Sequence, residues 1–162
     1  MMPTEAQRIL KDLMENAVSR GQVGSHTLLY GQPHLVRDTL FAAVAQVEGV
    51  VLRNPSILTL ERVGDLAAVL THLQSRNFLF IDHFHLLSTP SIELLPELMH
   101  FSLPIKVGHG SEMKEVYLRL PQFTVIAATS KPHLLPHNLK KCFAQQIGIE
   151  DSPPDSSSSV LS

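Results

Sequence analysis

An α/β fold, a parallel sheet sandwiched by helices with an inserted β-hairpin, is what this sequence predicts, and three features predict it. Short apolar runs of strand length alternate along the chain with stretches whose apolar residues recur every three or four positions. Two of the runs, Phe78–Ile81 and residues 123–128, are apolar almost throughout, as strands covered on both faces must be. On either side of Gly108, His109 and Gly110, by contrast, apolar and polar residues alternate, the pattern of a half-buried hairpin. Strands separated by helices need crossovers, so neighbouring strands run parallel.

Each element follows in order. Ala6, Ile9, Leu10, Leu13, Met14 and Ala17 share one helical face, and Gly21 is placed to end that helix. Thr27, Leu28, Leu29 and Tyr30 form a β-rich run closed by Gly31. Leu40, Phe41, Val44 and Val47 mark a second helix, residues 50–52 a second short run, and Val63, Leu66, Leu70 and Leu73 a third helix. Phe78–Ile81 ends in Asp82. Thr89 as N-cap and Pro90 as first helical residue then open another helix. Ile105, Val107, Val116, Leu118 and Leu120 are the apolar positions of the hairpin, which reads either as a surface ribbon packed on the core or as a partner-binding ribbon. Residues 1–149 are expected to form one domain. Residues 150–162, rich in Ser and Pro, cannot build a core and are expected to be a disordered tail.

Thirteen Lys and Arg against fifteen Asp and Glu give a net charge of -2, so no global basic field draws the chain to nucleic acid. Any DNA contact is expected to be weak or indirect. The single cysteine, Cys142, excludes an internal disulfide framework and a Cys-based zinc finger. No apolar run has the length of a membrane span, and charges interrupt the first residues where a leader would be apolar, so the expected location is cytoplasmic, away from membranes.

The segments HTLLYGQPHLVRDTL, VGDLAAVLTHL, FLFIDHFHLL, the hairpin, FTVIAATS and LLPHNLKKCFAQQIG together resemble, in order and spacing, the AAA+ core of the RuvB family, motors of Holliday-junction branch migration. The resemblance runs over about residues 5–148 and rests on the combination rather than on any one segment. It implies a P-loop NTPase fold of the AAA+ large-domain type, a ring-forming partner set, and a hairpin that in the family docks the junction-binding protein RuvA. Within these 162 residues no counterpart of the family's helical lid or winged-helix domain is expected.

A working P-loop, GxxxxGK[ST], needs glycines so that backbone N–H groups can wrap phosphates, a Lys for the β and γ groups, and a hydroxyl for Mg²⁺. The resemblance places Gly31, Pro33, Arg37, Asp38 and Thr39 at these ATP-site positions, with His34 and Val36 where the family has glycine, Arg37 for the Lys and Asp38 for the Mg²⁺-binding Thr. If the loop kept its phosphate-wrapping shape, a Cβ at a position needing positive φ would cost about 1–2 kcal/mol. Asp38 at about 4 Å from a phosphate charge would add repulsion of about 4 kcal/mol at an effective dielectric of about 20. Asp82 matches the Mg²⁺-organising carboxylate, His83 stands where the family has its water-activating Glu, and Thr129 matches the sensor position. Lys140 and Cys142 replace two arginines, and a lysine lacks the bidentate reach of an arginine finger.

The site is therefore expected to be degenerate, with no catalytic residue, no cofactor and no metal. His83 and His85, like His133 and His137, read as cleft and surface histidines rather than zinc ligands, and Lys131, Lys140 and Lys141 as a solvated basic patch. The favoured function is a non-hydrolysing protein-interaction module of DNA recombination and repair. Its hairpin residues Ile105, Val107, Val116 and Leu118, or a ring interface, would engage a RuvA-like or RuvB-like partner, with oligomers possible. Two alternatives stand beside it: an active ATP-dependent subunit of a branch-migration helicase, which would bind ATP and Mg²⁺, and a decayed gene fragment.

Overall fold

The computed structural model describes residues 4–21 and 25–149; the expected tail, residues 150–162, lies outside the described residues. Five parallel strands, β1 (Thr27–Gly31), β2 (Leu52–Arg53), β3 (Phe78–Ile81), β6 (Thr124–Thr129) and β7 (Gln145–Ile149), form one sheet in the order β2-β3-β6-β1-β7. β4 (Ser102–Val107) and β5 (Lys114–Arg119) form a separate antiparallel hairpin. The α/β architecture and the inserted hairpin are those expected from the sequence.

Alternation along the buried strands divides the core into two layers, because successive side chains of a strand face opposite ways. Leu29, Phe78, Phe80, Ile126 and Ala128 pack on one face against α1 (Glu5–Arg20) and α2 (Pro33–Val44). Leu28, Leu79, Ile81, Val125 and Ala127 pack on the other against α3 (Val63–Thr71), α4 (Thr89–Met99) and α5 (His137–Lys140). All six residues of β6 are buried, the mark of a central strand covered on both sides.

Local signals set most boundaries. Thr4 caps α1 by accepting the Gln7 N–H, and Gly21 ends the helix with φ 65°. The cap of α4 is Ser88, not Thr89: its hydroxyl accepts the Ser91 N–H and pairs with the buried Ser91 hydroxyl at 3.0 Å, so Pro90 is the second helical residue. The second strand lies at Leu52–Arg53 rather than 50–52, since its register is set by pairing with Phe78 and Leu79. β7 was not foreseen. It is held by main-chain pairing with β1 along the sheet edge, while Gln145, Gln146 and Gly148 interrupt any apolar run.

Candidate functional site

The carboxyl ends of β1, β6 and β3 lie side by side, since β6 runs between the other two with Tyr30 opposite Thr129 and Ile81 opposite Ala127. The sheet thereby gathers Gly31, Asp82 and Thr129 at one edge, the usual place for a site in an open parallel sheet. Gly31 has φ 149°, and a Cβ there would come within 2.5 Å of the Ile149 carbonyl oxygen of β7. Its lack of a side chain lets β7 approach.

Directly after Gly31 the chain becomes helical. Gln32 is the N-cap, Pro33 the first residue of α2, and the Leu35 and Val36 N–H groups donate to the Gln32 carbonyl at 3.1 and 3.0 Å. The Pro33 ring presets the φ that starting a helix requires. The strain considered for His34 and Val36 in a wrapped loop is absent, for neither has a positive φ. Val36 is buried against the α1–α2 side of the core, Thr39 is buried as well, and Asp38 faces solvent.

One turn further along, Arg37 reaches from α2 past the end of β6 to Asp82. Its Nη1 donates to Asp82 Oδ2 at 3.1 Å, and its guanidinium lies 5.4 Å from the centre of the Phe41 ring. The other oxygen, Oδ1, accepts the N–H of His83 at 2.8 Å. His83 is left-handed, with φ 51° and ψ 45°, and its Nε2 stands 3.9 Å from Oδ2. Both oxygens of Asp82 are thus engaged by this chain's own donors. Arg37 is 43% exposed and Asp82 12%, so the pair is open to water on the arginine side.

Thr129 Oγ1 lies 2.7 Å from His85 Nδ1 and accepts the Lys131 N–H at 3.0 Å, tying the turn after β3 to the turn after β6. Partial burial, followed by the positive fields of Lys131 and His83, pushes the His85 pKa below its ordinary value despite Asp82 nearby. The neutral form of His85 is favoured by these surroundings. In the last segment, the Cys142 thiol is raised by burial and donates to the Asn138 carbonyl at 3.5 Å, while the Lys140 carbonyl accepts from Gln146. Among the described residues no three metal-ligating side chains converge. A groove lined by Arg53, Pro55, Val69 and His72 lies beyond β2 and includes none of these residues.

The hairpin's apolar residues share one face, with Leu103 opposite Leu118, Ile105 opposite Val116 and Val107 opposite Lys114. Leu103 is buried and Ile105 packs on the core. Val107, Val116 and Leu118 are 44%, 38% and 46% exposed. Strand β4 packs on the core through Leu103 and Ile105, whereas β5 is exposed along its length and presents Val116 and Leu118 to solvent. Sequence reasoning brought Gly31, Pro33, Arg37, Asp82, His83 and Thr129 to one edge, and missed that His85 and Lys131 meet on Thr129.

The model for the "Holliday junction DNA helicase RuvB P-loop domain" matches residues 3–149. Among solved structures, the chain is similar to the Thermotoga maritima RuvB Holliday junction branch migration motor at 27% identity and a TM-score of 0.70, covering 96% of this chain and 48% of that one. It is also similar to a point mutant of that RuvB at 25% identity and a TM-score of 0.72, covering 99% and 50%. The chain spans about half the length of the RuvB structures it matches.

Proposed function

The chain belongs to the family of RuvB P-loop domains, and from that premise we propose that it is a non-hydrolysing protein-interaction module of Holliday-junction processing in DNA recombination and repair. The observation that carries the reading is the junction of β1 with α2. A phosphate-binding loop works by leaving successive N–H groups free to point at the anion. Here the Leu35 and Val36 N–H groups are spent on the Gln32 carbonyl. The carboxylate that would organise Mg²⁺ is occupied by Arg37 and by the His83 N–H. With Asp38 in place of a hydroxyl, the donor set does not fit a magnesium triphosphate. His83 offers an imidazole where the family has a carboxylate, and its left-handed backbone ties it to Asp82.

What this chain offers instead is the exposed side of its hairpin. Val107, Val116 and Leu118 form a narrow apolar stripe on a ribbon anchored by Leu103 and Ile105, suited to a RuvA-like or RuvB-like partner, with DNA reached through that partner. Calorimetric titration with ATP or ADP and Mg²⁺ is expected to show no saturable heat up to millimolar nucleotide. Capture of RuvA or RuvB is expected to be lost with Val116→Asp and Leu118→Asp. Saturable nucleotide binding, with turnover that disappears in Asp82→Ala, would establish a working ATPase in its place.

A further inference from the structure

The root of the hairpin is built around a half-buried residue that the nucleotide edge does not use. His26 directly precedes β1 at the opposite, amino edge of the sheet. Its Nδ1 accepts the Val125 N–H of β6 at 2.9 Å. A backbone amide can only donate, so Nδ1 carries no proton and Nε2 does. Nε2 then donates to the Met99 carbonyl, at the last residue of α4, over 2.8 Å. The imidazole also lies 5.7 Å from the ring of Phe101 and 6.3 Å from that of Phe123, and those two rings meet edge to face at 5.2 Å.

Phe101 is the residue from which the hairpin starts. Its φ is 65°, a left-handed conformation costing a bulky side chain about 1–3 kcal/mol and held only by its surroundings. Its carbonyl accepts the Leu120 N–H at 2.9 Å, immediately beyond β5, so both hairpin strands meet the domain at this one strained residue. His26 grips the chain on the α4 side through Met99 and braces Phe101 through its ring.

We infer that His26 is an acid-released latch that fixes the hairpin root: a proton on Nδ1 turns its acceptor into a donor facing the Val125 N–H, parting β6 from the end of α4 and freeing Phe101. Burial is the main influence holding the imidazole's pKa below its ordinary 6.5. His100 at the end of α4 acts in the same direction, and the Met99 carbonyl bond opposes both. From β6 and the β4 root the groups against the ring are Val125, Phe123 and Phe101, none of them charged. The folded chain takes the proton less readily than the unfolded chain, so the latch contributes fully above about pH 6.5 and is lost as pH falls below that value. The effect on a partner rests on the reading of the hairpin given above; the latch does not.

Amide hydrogen exchange on the intact chain, corrected for intrinsic rates and run from about pH 7.5 to about 5 beside an NMR titration of His26, tests the latch. Protection at Leu120 and Val125 is expected to fall as Nδ1 takes its proton, by up to about tenfold per pH unit, with Leu29 and Ile126 in the sheet centre unaffected. The His26→Phe variant keeps the ring contacts without the polar ties and should be weakly protected at both pH values. His100→Gln should retain the pH response. Constant protection while His26 protonates, or a His26 that stays neutral until the whole domain unfolds, overturns the latch, and both are read on the unmodified chain even if His26→Phe does not fold. A root that opens in acid with undiminished partner capture would instead sink the hairpin's partner role.

Discussion

Each edge of the sheet carries a polar tie between elements distant in sequence, and the two are built differently. At the amino edge, half-buried His26 uses both ring nitrogens and sits against two aromatic rings. At the carboxyl edge, Arg37 meets Asp82 with much of its side chain in water. The first tie is the costlier to break and responds to a single proton, because a group partly shielded from water recovers only part of its hydration when its partner is lost. The second is screened and exchangeable, as exposed ion pairs are. One sheet therefore supports a stiff hairpin root and, about 15 Å away along strands of four or five residues, an edge closed only by an easily broken contact.

The sharpest way to break this contrast is to rebuild the phosphate loop. Replacing His34→Gly, Val36→Gly, Arg37→Lys and Asp38→Thr puts two glycines into the first turns of α2 and removes a buried valine. The glycines cost about 1 kcal/mol each, and the lost valine adds about 1.5–3 kcal/mol. Denaturant unfolding should show a loss of about 4 kcal/mol by that arithmetic, together with a gain in nucleotide affinity over the parent measured by the same titration. An unchanged midpoint would mean that α2 does not depend on starting at Pro33.

A smaller effect is expected from Thr129→Val, which keeps the shape of the side chain and removes the oxygen shared by His85 and the Lys131 N–H. The expected loss is about 1–3 kcal/mol. If it proved negligible, the carboxyl edge would be held by its aliphatic packing alone. Smallest of the three is the coupling between Arg37→Ala and Asp82→Asn in a double-mutant cycle. It should be about 0.2–1 kcal/mol and shrink in high salt, since Arg37 is 43% exposed. A coupling several times larger would make this pair as structural as His26 and erase the difference between the edges.

Much of the fold was legible because it is written in local periodicity. Phe78–Ile81 and the strand ending at Thr129 are apolar runs too short for helices, and α1 shows its buried stripe at Leu10, Leu13, Met14 and Ala17. β7 was illegible for the opposite reason: main-chain bonds to β1 hold it at an edge where side chains are half-buried, so Gln145, Gln146 and Gly148 are tolerated. At the site, the resemblance to the RuvB family singled out Gly31, Arg37, Asp82 and Thr129. It could not show that Pro33 already begins a helix, since residue identity at an aligned position does not state its backbone conformation. His26 carried no signal at all. Its hydrogen-bond partners lie 73 and 99 residues away, and a lone histidine before a strand is ordinary.

By itself the order of residues determined the layers, the parallel sense of the sheet and the hairpin, because these depend on patterns that recur within a few residues and on crossover lengths between them; the family followed from the resemblance of its motifs taken together. Only the tertiary structure decided which donors take the oxygens of Asp82, which nitrogen of His26 bears its proton, and where the hairpin is fastened. Apart from the adjacent His83 N–H, those outcomes depend on groups brought together from far apart in the chain, and protonation is set by the surroundings of a group as well as by its neighbours in sequence.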